Sequence, residues 1–98
     1  MIRPAASPVF LFAIFSWAQA NTNPSVEERL AAHRNLGKAF YENPTTQVQS
    51  VREFLKALEL APKSARERVN YGLALLRAGK TDEGIAELKA AQDRKSVV

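Results

Sequence analysis

Apolar residues recur along most of the chain at the three- and four-residue intervals of an amphipathic α-helix. No segment alternates apolar and polar residues with the two-residue period of a strand. The pattern therefore predicts an all-α fold, with helices at about 26–42, 47–60, 65–78 and 82–92.

The connections between these helices are short, which favours antiparallel packing of neighbours. The predicted helices therefore form two hairpins, a first at 26–62 and a second at 63–92, preceded by a short linker at 21–25.

Helix-capping residues support these boundaries. Three hydroxyl residues precede helices and are followed three positions later by a carboxylate or amide: Ser25 and Glu28, Thr46 and Gln49, Ser64 and Glu67. This is the spacing of a capping box, in which two side chains satisfy backbone N–H groups at a helix start. Pro44 and Pro62 mark helix ends, and Gly79 suits a left-handed C-terminal cap.

The second hairpin repeats the pattern of the first. At an offset of 35, Leu36, Gly37 and Phe40 align with Tyr71, Gly72 and Leu75. At an offset of 34, Ser50, Val51, Phe54 and Ala57 align with Gly84, Ile85, Leu88 and Ala91. The one-residue difference falls in the turn around Pro44, where an extra residue costs little.

This unit resembles the tetratricopeptide repeat family, whose repeat is a helix–turn–helix of about 34 residues. The matching positions are Leu36, Gly37, Phe40, Phe54, Ala57 and Pro62 in the first hairpin and Tyr71, Gly72, Leu75, Gly79, Gly84, Leu88 and Ala91 in the second. The family's tryptophan position holds His33 and Arg68 instead, and we expect His33 to pack there. The resemblance implies a short α-solenoid of two stacked hairpins.

The resemblance also implies a concave groove that binds an extended peptide or protein segment. By position, the groove residues are Arg34, Lys38 and Tyr41 from the first hairpin and Arg66, Val69, Asn70 and Leu73 from the second. Arg34 and Lys38 are four residues apart, so they share a helix face and suit a bound carboxylate. The alternative is an ordinary solvated groove.

The first twenty residues are typical of a secretory signal peptide. Arg3 provides the positive start, an apolar run from Val9 to Trp17 follows, and Ala18 and Ala20 form the small-residue cleavage site. The run is shorter than the roughly 20 apolar residues that span a bilayer, so we expect no stable membrane span after cleavage. This predicts an exported protein, periplasmic or secreted. An uncleaved anchor and a buried helix are the alternatives.

Composition excludes most enzyme classes. The chain has no cysteine and one histidine, His33, which excludes disulfides, thiol catalysis and two-histidine metal sites. Gly79-Lys80-Thr81 resembles the end of a nucleotide-binding loop, but the glycine that such a loop requires is replaced by Ala74. With no catalytic constellation, the sequence predicts a non-enzymatic protein without metal or cofactor.

The charge pattern argues against nucleic-acid binding. Fourteen Lys and Arg against ten Asp and Glu give a net charge of +4, and loss of Arg3 with the leader leaves thirteen against ten, +3. Basic and acidic residues are interleaved, as in Arg66-Glu67-Arg68, with no aromatic platform for bases.

The last six residues, 93–98, resemble the translation of a common short-read sequencing adaptor. We therefore expect a non-native tail and a natural chain that continues; the alternative is a genuine charged terminus. Two repeats are also fewer than the roughly three that stacked hairpins need. Two functions stay open: a module that presents its groove to a partner, or an N-terminal docking or spacer piece of a larger exported protein. Self-association through Ile85 and Leu88 at the open end is a further expectation.

Overall fold

The computed structural model describes the backbone of residues 23–97 and the side chains of residues 23–93. This part of the chain contains no strand and four helices: α1, Val26–Tyr41; α2, Gln47–Leu60; α3, Ala65–Arg77; and α4, Thr81–Val97. The predicted all-α class is confirmed for this range. The predicted signal peptide, with its cleavage site at Ala18 and Ala20, lies outside the described residues.

The end of α4 differs from its prediction. The other helices begin and end within a residue of the expected positions, but α4 continues through Val97 and does not stop at Gln92. Residues 93–96 contain neither glycine nor proline, so no helix-breaking residue stands at the predicted end. The non-native origin of 93–98 stays a prediction.

One of the three predicted capping boxes is complete. Ser25 Oγ accepts from the Glu28 N–H at 3.1 Å, and the Glu28 carboxylate accepts from the Ser25 N–H at 2.7 Å. At Ser64 only half forms, because the Glu67 carboxylate turns away to Arg34. At Thr46 the prediction is wrong: its side chain forms no cap hydrogen bond, and its hydroxyl donates to the Phe40 carbonyl near the end of α1 at 2.8 Å.

Gly79 ends α3 as predicted. Its φ of 86° lies in the left-handed region that a side chain disfavours. The Gly79 N–H donates to the Leu76 carbonyl at 3.0 Å, and the next N–H, of Lys80, donates to Leu75 at 2.8 Å. These bonds satisfy carbonyls of the last turn and direct the chain into α4.

The helices pack in chain order. α1 lies against α2 and α3 against α4, while α2 also contacts α3 and so joins the two pairs. The buried apolar side chains come from the three later helices: Phe54, Ala57, Leu58, Ala74, Leu75 and Ala91. α2 is therefore central, and its neighbours α1 and α3 lie on either side of the cavity described below.

Small residues allow the closest contacts within each pair of helices. A Cβ atom placed on Gly37 would lie 2.7 Å from the Phe54 ring. A Cβ atom placed on Gly84 would lie 2.9 Å from the carbonyl oxygen of Gly72. Because Ser50 Oγ also donates to the Gly37 carbonyl at 2.9 Å, the α1–α2 contact is polar as well as steric.

His33 is half-buried and also forms a hydrogen bond that the expected packing role does not include. Its Nδ1 donates to Glu53 Oε1 of α2 at 2.7 Å, and the imidazole keeps partial solvent contact. Arg68 at the corresponding position of α3 donates to Glu87 Oε1 of α4 at 2.6 Å. A half-buried imidazole or guanidinium needs a hydrogen-bonding partner, and a carboxylate provides it at both positions.

Candidate functional site

A cavity of about 220 Å³ lies where α1, α2 and α3 come together. Lys38 and Tyr41 line it from α1, Asn70 and Leu73 from α3, and Phe54 from α2, with Glu42 at the end of α1. Phe54 is buried, whereas the Leu73 side chain is exposed. The cavity thus combines an apolar lining with an ammonium, a carboxylate and a side-chain amide.

Four of the seven predicted groove residues meet at this cavity: Lys38, Tyr41, Asn70 and Leu73. They come from the first helix of each predicted hairpin, as the resemblance implies. Arg66 and Val69 lie on α3 outside the lining; Arg66 is exposed and Val69 is half-buried.

Arg34, the seventh predicted groove residue, forms an ion pair with Glu67 of α3. Its Nε donates to Glu67 Oε2 at 3.1 Å, and its Nη2 donates to the same oxygen. The Glu67 side chain is 1% exposed and the Arg34 side chain 18%. The hydrogen bond from Arg34 to Glu67 raises the pKa of the guanidinium, against the opposing effect of burial.

Tyr41 is fixed at the edge of the cavity by Arg77 of α3. The Arg77 guanidinium carbon lies 4.8 Å from the centre of the Tyr41 ring, which is cation–π distance. Arg77 Nε also donates to the Tyr41 carbonyl oxygen at 2.7 Å. Both contacts tie the end of α1 to α3 and hold the aromatic wall in place.

Two other residues with shifted pKa values, Tyr71 and Glu53, lie outside the cavity lining. Burial, reinforced by the negative charges of Glu87, Glu83 and Glu59, raises the pKa of the Tyr71 phenol. The hydrogen bond from His33 lowers the pKa of Glu53.

Among the described residues, no group of three or more His, Asp or Glu side chains is placed to hold a metal ion. No helix in residues 23–97 is long and apolar enough to cross a membrane.

Three residues of this region escape sequence reasoning about the site. Phe54 is expected to pack, yet its ring also lines the cavity. Glu67 is expected to complete a cap, yet it pairs with Arg34. Glu42 has no motif at all. For these residues the sequence offers one indication: Glu67 follows Arg34 by 33 residues, a separation close to the repeat offset.

Comparison with known proteins adds no relative: no family model, no curated protein and no solved structure matches the chain. The functional argument therefore depends on the geometry of the cavity.

Proposed function

We propose that the chain is an exported, non-catalytic module of the tetratricopeptide-repeat type that binds an extended segment of a protein or peptide between α1 and α3. The observation that carries this proposal is the cavity itself, which Lys38 and Tyr41 of one hairpin and Asn70 and Leu73 of the other build together.

The chemistry of the lining suits a peptide. Phe54, Tyr41 and Leu73 offer apolar surface to a side chain, and the Asn70 amide has both a donor and an acceptor for a peptide backbone. At about 220 Å³ the cavity is smaller than the roughly 300–1,000 Å³ of pockets that enclose small-molecule ligands. One anchoring side chain of a longer ligand fits this size better than a whole substrate.

Contacts that recur at the repeat offset support the repeat architecture. A Cβ atom on Gly72 would lie 3.0 Å from Leu88, as one on Gly37 would lie against Phe54. The His33–Glu53 pair of the first hairpin likewise corresponds to Arg68–Glu87 in the second.

The proposal is tested by selecting peptides that bind the full chain from a displayed library of random peptides. Leu73→Glu places a negative charge at the cavity. Ile85→Glu, which places the same charge on α4, is the control, because Leu73 and Ile85 are almost equally exposed, at 41% and 43%. We expect selected peptides to lose about tenfold or more in affinity for the Leu73 variant and to bind the Ile85 variant as they bind the wild type. Equal losses on both variants, or no enriched peptide, contradict the proposal.

A further inference from the structure

The charge state of the proposed groove depends on an ion pair within the chain. Arg34 lies one helical turn before Lys38 on α1, so the two side chains are neighbours on one helix face; Lys38 lines the cavity, and Arg34 lies next to the lining without being part of it. Of the two, Lys38 is exposed, while the guanidinium of Arg34 is largely covered and bonded through Nε and Nη2 to Glu67.

Glu67 is an unusual partner because it is itself buried. A carboxylate at 1% exposure is costly unless a cation and hydrogen bonds compensate it, and Arg34 provides both. The Nε and Nη2 donors of the same guanidinium are then engaged and its charge is neutralised, so it attracts a second carboxylate less strongly.

The other charges around the cavity also cancel. Lys38 and Glu42 both line it, carry opposite charges and stand four residues apart at the end of α1. Tyr41, Phe54 and Leu73 add aromatic and aliphatic surface to the same lining.

We infer that Glu67 is a specificity-determining residue: it acts as an internal carboxylate ligand of Arg34, so that the groove accepts a neutral, apolar side chain and does not select an acidic terminus. The inference rests on the proposed function, because it assumes that the cavity is the binding site. It assigns Glu67 a role that its capping position does not require, since the half-cap uses only its backbone N–H.

The test compares two probes that share a leucine side chain and differ in one charge, N-acetyl-leucine and N-acetyl-leucinamide. Each is titrated into the ¹⁵N-labelled full chain, and amide shifts of Asn70 and Leu73 report the cavity. We expect the wild type to bind the two probes within about twofold of each other. In Glu67→Gln, which keeps size and hydrogen bonding but frees the charge of Arg34, the carboxylate probe should bind about fivefold tighter or more.

Glu53→Gln is the matched control, because it too removes a carboxylate that is paired with a residue of another helix; the Glu53 pair, with His33, lies outside the cavity lining. We expect it to keep the wild-type ratio of affinities. The wild-type comparison needs no variant, so a wild-type preference for the carboxylate overturns the inference even if Glu67→Gln fails to fold.

Two failures are distinguishable. If neither probe shifts Asn70 or Leu73, the groove is not the binding site, and the proposed function is overturned together with this inference. If both probes bind there but the wild type prefers the carboxylate more than about fivefold, or Glu67→Gln leaves the ratio unchanged, only the role of Glu67 is overturned.

Discussion

Two carboxylates that are partly or fully buried in this protein form hydrogen bonds with basic residues of a different helix. Glu67 of α3 is paired with Arg34 of α1, and Glu53 of α2 with His33 of α1. A buried charge without its partner is strongly destabilising, whereas a paired one is close to neutral. We therefore expect these pairs to specify which helices meet, and in what register, more than they add net stability.

The His33–Glu53 pair should make stability depend on acid pH. The hydrogen bond from His33 is the largest cause that lowers the pKa of Glu53 below its ordinary 4.5; burial opposes it, and Lys56 adds to it. Because the folded-state pKa is the lower one, the stabilisation is fully present above pH 4.5 and is lost as the pH falls through the lowered value. Glu53→Gln should therefore lose less free energy of unfolding on acidification than the wild type.

Urea unfolding at a series of pH values measures this difference. Glu59→Gln, an exposed carboxylate on the same helix, is the control and should follow the wild-type curve. Parallel pH dependences for the wild type and Glu53→Gln would show that the pair contributes nothing.

Pairs of helices in this fold approach closely because small residues face each other. Gly84 of α4 lies so near Gly72 of α3 that an added Cβ would come within 2.9 Å of a backbone oxygen and 2.8 Å of the Leu76 side chain. Backbone cannot move aside as a flexible side chain can, so this contact sets the distance between α3 and α4.

Replacement of Gly84 by alanine tests that contact. Alanine favours a helix over glycine by about 1 kcal/mol, but overpacking costs about 1–3 kcal/mol, and here the obstacle is backbone. We expect a net loss of about 1 kcal/mol or more in the free energy of unfolding, measured by urea denaturation.

Gly79→Ala is the comparison, since nothing lies within 4 Å of its Cβ and only the φ of 86° opposes it. Its cost should be about 1 kcal/mol and should not involve helix packing. A stabilised Gly84→Ala would mean that α3 and α4 are free to separate.

The four packed helices and the N-terminal segment of the chain differ in amino-acid composition. The four helices carry interleaved charges, whereas residues 1–20 carry the apolar run and the small residues of a predicted cleavage site. Ile85 is exposed on α4, whereas Leu88 is half-buried next to Gly72, and self-association through Ile85 and Leu88 at the open end stays a prediction.

Expression of the full gene in a bacterium tests the export prediction. We expect mass spectrometry of the soluble exported fraction to find a chain that begins at Asn21, because small residues at Ala18 and Ala20 fit the signal peptidase. Ala18→Phe together with Ala20→Phe should leave the precursor uncleaved, while Ala13→Val in the apolar run should not. An intact N-terminus in the wild-type cytosol would contradict the prediction.

The sequence by itself determined the helices, because the signals that start and stop them are local. Periodic apolar residues, the Ser25 cap and the left-handed Gly79 act within a few residues of where they stand. The exceptions arise where a side chain has a competing partner, as at Thr46, or where no stop signal exists, as at the end of α4. The resemblance to tetratricopeptide repeats also named four of the residues that line the cavity, although their role as a groove stays a prediction.

Only the tertiary structure decided what those positions do. The partner of Arg34 is 33 residues away and lies on another helix, so no local pattern distinguishes a guanidinium that awaits a ligand from one that is already bound. The same holds for Phe54, which belongs to the core and to the cavity at once. Charge compensation and cavity shape depend on how distant helices pack, and packing is a property of the whole fold.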